Sequence, residues 1–71
     1  MNLRNLCRQL ALNYDKFRGA CKPSEHCYFK GKYKAYQEVI RNFYGAVTLE
    51  EDSDGGYKVI TNTGYYKFYF D

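Results

Sequence analysis

The chain has 71 residues, of which 45% are hydrophobic, 20% aromatic and 27% charged, and its formal net charge is +3. This length predicts one domain over residues 1–71 with a shallow core, since a domain of about 60 residues buries only about 60% of its unfolded surface. The aromatic content excludes a disordered chain, and no apolar run reaches the roughly 18 residues that span a bilayer.

Charge is distributed unevenly along the chain. Residues 1–45 contain nine Lys or Arg and three Asp or Glu, whereas residues 46–71 contain two Lys and five Asp or Glu. A basic part of +6 therefore precedes an acidic part of −3. Such asymmetry affects association with partners rather than the fold.

The three cysteines predict a reducing compartment. Cys7, Cys21 and Cys27 are an odd number, whereas small secreted domains usually carry an even set joined in disulfides. The first residues also lack the continuous apolar segment of a secretory signal. We therefore expect free thiols and a cytoplasmic location.

Residues 3–17 predict an amphipathic helix. Asn2 is the expected N-cap, and Gly19 is expected to end the helix in a left-handed conformation. Leu12 lies on the opposite face, where we interpret it as a surface leucine or a sheet contact rather than a partner contact. The apolar residues that recur at steps of three and four are Leu3, Leu6, Cys7, Leu10, Tyr14 and Phe17.

Residues 25–44 predict a second helix. In the connection before it, Pro23 disfavours helix at the preceding residue and Ser24 is the expected cap. Gly31 costs about 1 kcal/mol relative to Ala and can break the helix, while Gly45 is the expected end. The predicted buried stripe is Phe29, Tyr33, Tyr36, Ile40 and Phe43.

After the second helix the hydrophobic period changes from 3.6 to two, which is typical of strands. Residues 46–50, 57–61 and 65–70 predict three strands joined by two short glycine-containing turns. Short connections indicate a sequential antiparallel meander. The predicted fold is therefore α+β, with two N-terminal helices packed on one face of a three-stranded sheet (ααβββ).

The sequence offers little material for catalysis or metal binding. Cys21, His26 and Cys27 are close in sequence, but the gap between the cysteines exceeds the usual zinc spacing, and adjacent helical residues diverge by about 100°. His26 and Cys27 are adjacent in sequence, but a catalytic pair needs the thiolate within hydrogen-bond reach of the imidazole, which adjacency alone does not indicate. We predict no cofactor, no metal and no enzymatic activity.

Nucleic-acid binding is the alternative function that the basic part of the chain predicts. Lysine and arginine bind phosphates, and aromatic rings stack on bases. The last predicted strand is faintly similar to the aromatic strand of an RNA-recognition motif, but the order of elements differs. The basic helical face predicted for this function comprises Arg4, Arg8, Lys30, Lys34 and Arg41.

Protein binding is the function that the sequence favours. Nine tyrosines exceed what a small core can bury, and exposed tyrosines are common in interfaces. An acidic turn could meet a basic groove on a partner, and the last strand, 65–70, could pair as an edge with a second copy. The predicted protein-binding residues are Glu50, Glu51, Asp52, Asp54, Tyr57, Tyr65, Lys67 and Tyr69.

The tyrosine-rich segment Tyr33–Ile40 and the acidic hairpin, in one compact ααβββ chain, give an overall resemblance to the small accessory proteins of bacteriophages. Some of these proteins inhibit bacterial defence, including the anti-CRISPR proteins. The resemblance implies a protein of the bacterial host cytoplasm that blocks a larger host protein, such as a nucleic-acid-binding effector, one to one. It assigns no site residues.

Overall fold

The computed structural model describes residues 2–70 and has the predicted ααβββ order. Neither helix in this range is both long and apolar enough to cross a membrane. The elements are α1, Leu3–Arg18; α2, Pro23–Tyr44; β1, Val47–Glu51; β2, Tyr57–Thr61; and β3, Gly64–Phe68.

The first helix, α1, begins at the predicted cap. The Asn2 side chain accepts a hydrogen bond from the backbone N–H of Asn5 at 2.8 Å, which satisfies one of the free amides of the first turn. At the other end, Gly19 has φ −91° and not the predicted left-handed conformation. Its N–H donates to the Asp15 carbonyl at 3.1 Å, so the backbone continues the helical hydrogen-bond pattern there.

The second helix, α2, is longer than predicted. It begins at Pro23, because proline is tolerated in the first turn, where its missing N–H has no partner in any case. Ser24 therefore lies inside the first turn, and Lys22 occupies the cap position without a side-chain hydrogen bond. The helix continues through Gly31, where the sequence left a break open, and ends before Gly45, which has φ 97°.

The sheet is the predicted antiparallel meander, with β2 in the centre. In its register, Val59 lies opposite Leu49 on one side and Tyr66 on the other. β1 is shifted by one residue from the prediction, and β3 ends at Phe68 rather than at residue 70. Both outer strands have one side that is unpaired within the described sheet.

The two helices cover one face of the sheet, with α1 against β2 and β3 and α2 beside β1. α2 contributes only Ile40 to the fully buried set, and Phe43, predicted to be buried, is 77% exposed. Three helical residues turn by about 300°, which leaves Phe43 about 60° away from Ile40 and toward solvent. The buried core consists of Leu6, Cys7, Leu10, Ala11, Ile40, Val47, Tyr57, Val59 and Phe68.

Half-buried aromatic rings extend this core between the helices. The Tyr14 ring lies 5.1 Å from Phe17, 5.4 Å from Tyr33 and 5.7 Å from Tyr57, measured between ring centroids. The Phe17 ring also packs edge-on against His26 at 5.0 Å. Amphipathic rings of this kind bury their carbon edges while keeping polar tips accessible. Part of the high tyrosine content is therefore structural.

Candidate functional site

The sheet face turned away from the helices, here called the outer face, carries the predicted tyrosine surface. Because side chains alternate along a strand, the register places Tyr65 and Lys67 of β3 on this face, beside Lys58 and Ile60 of β2. Tyr65 is 60% exposed, as the sequence predicted. Glu50 of β1 lies opposite Lys58 and completes one charged row across the sheet.

Tyr69 follows the end of β3 and is held against the β1–β2 hairpin. Its hydroxyl donates to Asp54 Oδ2 at 2.8 Å, and the ring is 58% exposed. A Cβ on Gly56 would lie 2.6 Å from the Tyr69 ring, so glycine permits this close approach. The ring is thus fixed in position while most of it faces solvent.

Lysine ammonium groups lie over both exposed rings. Lys58 Nζ is 4.5 Å from the centroid of the Tyr65 ring, and Lys67 Nζ is 5.5 Å from that of Tyr69. Cation–π contacts of this geometry are worth about 0.5–1 kcal/mol at exposed sites. They favour one orientation of each ring, so the outer face presents aromatic carbon beside two lysine ammonium groups.

The acidic hairpin is largely neutralised by cations of the same chain. Lys67 Nζ lies 3.1 Å from Asp52 Oδ2 and 3.2 Å from Asp54 Oδ2, and Glu51 forms an ion pair with Arg18. The hydrogen bonds to Tyr69 and to the carboxylates raise the pKa of Lys67 above its usual value. Among the residues described here, only Glu50 of the four predicted acids has no ion pair. The predicted acidic surface is therefore much weaker than its sequence suggests.

The carboxylate of Asp54 is expected to titrate well below its ordinary range. The hydrogen bond from Tyr69, followed by those from the Gly56 N–H and Lys67, lowers the Asp54 pKa from 3.8 to about 2. Asp54 therefore stabilises the fold above pH 3.8, and that contribution is lost as the pH falls toward 2. An NMR titration of the Asp54 carboxyl carbon should give the low midpoint, and Tyr69→Phe should raise it. A midpoint near 3.8 in the folded wild type would contradict the hydrogen-bond geometry.

The prediction for Tyr57 is wrong, because this residue faces the helices. Tyr57 is 3% exposed, since the hairpin register pairs it with Phe68 on the inner face. Its hydroxyl donates to Asp15 Oδ1 at 2.5 Å and accepts from Arg18 at 3.4 Å. Burial, followed by the hydrogen bond to Asp15, raises the pKa of Tyr57. Tyr57 is therefore a core residue that ties α1 to the sheet.

Two shallow clefts open on the surface. A polar cleft of about 280 Å³ lies beside the hairpin, where the Arg18–Glu51 ion pair occupies its charged groups. An apolar groove of about 610 Å³ lies between α1 and the end of α2. The groove is lined by Leu6, Tyr36, Val39, Phe43 and Tyr44.

Sequence reasoning missed the apolar surface of α2. The predicted core stripe includes Phe43, whereas Phe43 is exposed together with Tyr28 and Val39. The last two are not part of that stripe. They are 59% and 37% exposed, respectively. Their spacing of 11 residues, three helical turns, was the available signal, because it places both on one side of the helix.

The predicted basic face is divided between the two helices. The guanidinium groups of Arg4 and Arg8 lie 5.8 Å above the rings of Phe68 and Phe70, respectively, on the β3 side of the molecule. The remaining three residues, Lys30, Lys34 and Arg41, are exposed on α2, the helix that contacts β1. A single continuous phosphate-binding surface is therefore not formed by these five side chains.

The thiols are expected to differ in reactivity. Cys7 is 0% exposed, and burial raises its pKa to about 11, whereas Cys21 and Cys27 are free and exposed. Since the thiolate is the reactive form, Ellman's reagent should modify two thiols of the folded protein at pH 8 and the third only in denaturant. The double variant Cys21→Ser/Cys27→Ser should be unreactive when folded. Rapid reaction of that variant would contradict burial of Cys7.

Within residues 2–70, no three His, Cys, Asp or Glu side chains are grouped as metal ligands. Comparisons with protein-family models, curated proteins and solved structures found no match to the chain. Its function is therefore inferred from the chemistry of its own surfaces.

Proposed function

We propose that the chain is a non-enzymatic protein-binding module that uses the outer face of the sheet. The observation that carries this proposal is the exposure of Tyr65 and Tyr69, at 60% and 58%, on a face that the helices leave uncovered. Tyrosine contributes a large contact area with few rotatable bonds, and it is enriched in protein interfaces. Burial of both rings by a partner would supply the apolar centre of an interface.

Preorganisation also supports this surface. The Tyr69 hydroxyl, Asp54 and Lys67 are linked by hydrogen bonds, and Lys58 lies over Tyr65. Association costs less when interface side chains are already ordered, because less rotamer entropy is lost. Glu50 forms no ion pair within the described chain, so its charge is available to attract a basic partner. Its contribution to the association rate can therefore be tested by substitution.

The partner that we infer is a larger bacterial host protein, bound one to one and inhibited without turnover. Support for this inference is the resemblance to phage accessory proteins, together with the free thiols Cys21 and Cys27, which fit a reducing cytoplasm.

Nucleic-acid binding has weaker support, because the five basic residues predicted for it are divided between the two helices and two of them, Arg4 and Arg8, lie over aromatic rings at the β3 end of the chain. A fluorescence anisotropy titration with DNA and RNA at low and high salt separates the two functions. Nucleic-acid binding predicts affinity that falls steeply with salt, since bound phosphates release counterions. The protein-binding proposal predicts no such interaction.

Affinity capture from a bacterial lysate, followed by mass spectrometry, tests the proposal. Three baits are compared: the wild-type chain, Tyr65→Ala and Tyr28→Ala. Tyr28→Ala is the matched control, because Tyr28 is an equally exposed tyrosine but lies on α2. We expect a stoichiometric host protein that the wild type and the control retain and that Tyr65→Ala loses by at least about tenfold, the cost of a modest hot spot.

The purified partner then allows the role of Glu50 to be measured. Glu50→Lys should slow association with a basic partner and leave dissociation nearly unchanged, as expected for a steering charge. Equal capture by wild type and Tyr65→Ala would contradict the assignment of the outer face.

A further inference from the structure

The open edge of β3 presents unpaired backbone groups. In the β1–β2 hairpin the Asp52 N–H donates to the Gly56 carbonyl at 2.9 Å, and hydrogen-bonded pairs alternate along antiparallel strands from such a pair. The register then makes Tyr66 one of the β3 residues that bond to β2, so Tyr65 and Lys67 direct their N–H and C=O groups to the other side. Within residues 2–70, no backbone hydrogen bond from outside the sheet reaches these groups.

Two arginines lie beside this edge, on the helix side of β3. Arg4 and Arg8 are exposed on α1, one turn apart, and their guanidinium groups lie 5.8 Å from the ring centroids of Phe68 and Phe70, respectively. Neither arginine forms an ion pair with another of the residues that the structure describes. A guanidinium that stacks on a ring keeps its N–H donors, which lie in its own plane, available for a carboxylate.

The two arginines are spaced to match alternate residues of a strand. Four residues of a helix advance by about 6 Å, and two residues of a strand advance by about 6.8 Å. The chain itself shows this match, because the rings of the alternate residues Phe68 and Phe70 are 6.4 Å apart and one arginine lies over each. In a strand added beside β3, the side chains opposite Phe68 and Phe70 therefore point toward Arg4 and Arg8.

We propose that the β3 edge binds an extended acidic segment of the partner, which adds to the sheet as a further strand antiparallel to β3. Backbone hydrogen bonds to Tyr65 and Lys67 hold the segment, and its acidic residues at alternate positions meet Arg4 and Arg8. This inference rests on the proposed function, because the segment belongs to the partner that covers the adjoining outer face. Glu50, which a basic group of the partner approaches, lies on β1 at the opposite edge of the sheet.

Charge favours this occupant over a second copy of the chain. Two β3 edges that paired with each other would bring Arg4 and Arg8 of both copies to one seam. Like charges that face each other across strands are destabilising, whereas an acidic segment neutralises both arginines. Edge pairing between copies, which the sequence left open, is therefore the less favourable use of β3.

A synthetic hexapeptide, acetylated and amidated at its ends, tests the site. The sequence Glu-Thr-Glu-Val-Val-Thr places its glutamates opposite Phe70 and Phe68 when it lies antiparallel to β3, and its β-branched residues favour a strand. At millimolar concentration it should shift the amide NMR signals of Tyr65 and Lys67 and slow the hydrogen exchange of both amides. Replacing both glutamates by glutamine should weaken binding about fivefold, as expected for the loss of two exposed ion pairs.

Matched variants separate the charge contacts from the backbone contacts. Arg4→Gln/Arg8→Gln should bind the acidic peptide about fivefold more weakly and should bind the two peptides alike. Lys30→Gln/Lys34→Gln removes the same charge from exposed positions of α2 and should bind like the wild type. N-methylation of the fourth peptide residue, whose N–H faces Lys67, should abolish binding, whereas N-methylation of the fifth, whose N–H faces away, should not.

Three outcomes would overturn the edge assignment: no shift at millimolar peptide, equal affinity of the wild type for the acidic and the glutamine peptide, or edge amides already protected in a peptide-free dimer of twice 8.4 kDa. The proposed function can fail separately. The peptide bonds to the backbone of Tyr65 and not to its ring, so Tyr65→Ala should still bind the peptide although it loses the captured partner.

Discussion

Replacing Leu10 by Ala is expected to destabilise the protein by about 3 kcal/mol, within the range of about 2–5 kcal/mol measured for leucines in close-packed cores. Leu10 is 1% exposed and lies where α1 meets both α2 and the sheet, so its loss leaves a cavity that the neighbouring rigid elements cannot fill. Small domains have about 5–15 kcal/mol of total stability, and this change removes a large part of it. The midpoint of urea denaturation, followed by circular dichroism, measures the loss.

Leu12→Ala is the matched control for this prediction. Leu12 is two residues further along the same helix but only half-buried, on the side away from the core. The same substitution there should cost clearly less than at Leu10, because part of the Leu12 side chain is already in contact with water. Equal costs at the two positions would contradict the assignment of the core face of α1.

Replacing Gly45 by Ala is expected to cost about 2–3 kcal/mol, the upper part of the range for a side chain in a glycine-only backbone conformation. Gly45 has φ 97° and ψ −157°, a region that residues with a Cβ avoid. An added Cβ would also contact the Asn62 side chain, whose amide donates to the Tyr44 carbonyl at 3.5 Å. The change therefore strains the connection from α2 to β1.

The same substitution at Gly31 should raise the free energy of unfolding rather than lower it. Gly31 is in the middle of α2 and has open space around the position of a Cβ, so Gly31→Ala should stabilise the protein by about 0.5–1 kcal/mol. Thermal denaturation of the two variants beside the wild type measures both effects. Destabilisation by Gly31→Ala would indicate that this part of α2 is not a regular helix.

The order of elements could be predicted because each one follows a strong local rule. The stripe of α1 and the Asn2 cap predict the first helix, and the change of period after Gly45 predicts the strands. Short turns then leave a sequential meander as the simple solution. The predicted start of α2 at residue 25 is two residues late, because the prediction places Pro23 in the connection, whereas proline suits the first turn of a helix.

The candidate surfaces were only partly predictable, because they depend on which side chains meet across elements. Alternation in β3 places Tyr65 outward from sequence alone, but the face of Tyr57 depends on the register set by the hairpin. Likewise, the acids of the hairpin form a negative cluster in the sequence, whereas Lys67 and Arg18 reach them only in the folded chain. The face of Tyr57 and the pairing of the hairpin acids depend on contacts between residues that are distant in sequence, which local patterns do not predict.

The packing of α1 against β3 has a consequence for synthesis on the ribosome. Phe68 belongs to the core that also contains Leu6 and Leu10, so α1 is covered by a strand that is synthesised after it and after α2, β1 and β2. Until β3 has been released, the apolar side of the helical pair stays open to solvent, a condition in which nascent chains aggregate or are held by chaperones. The domain can therefore complete its fold only after translation has passed Phe68.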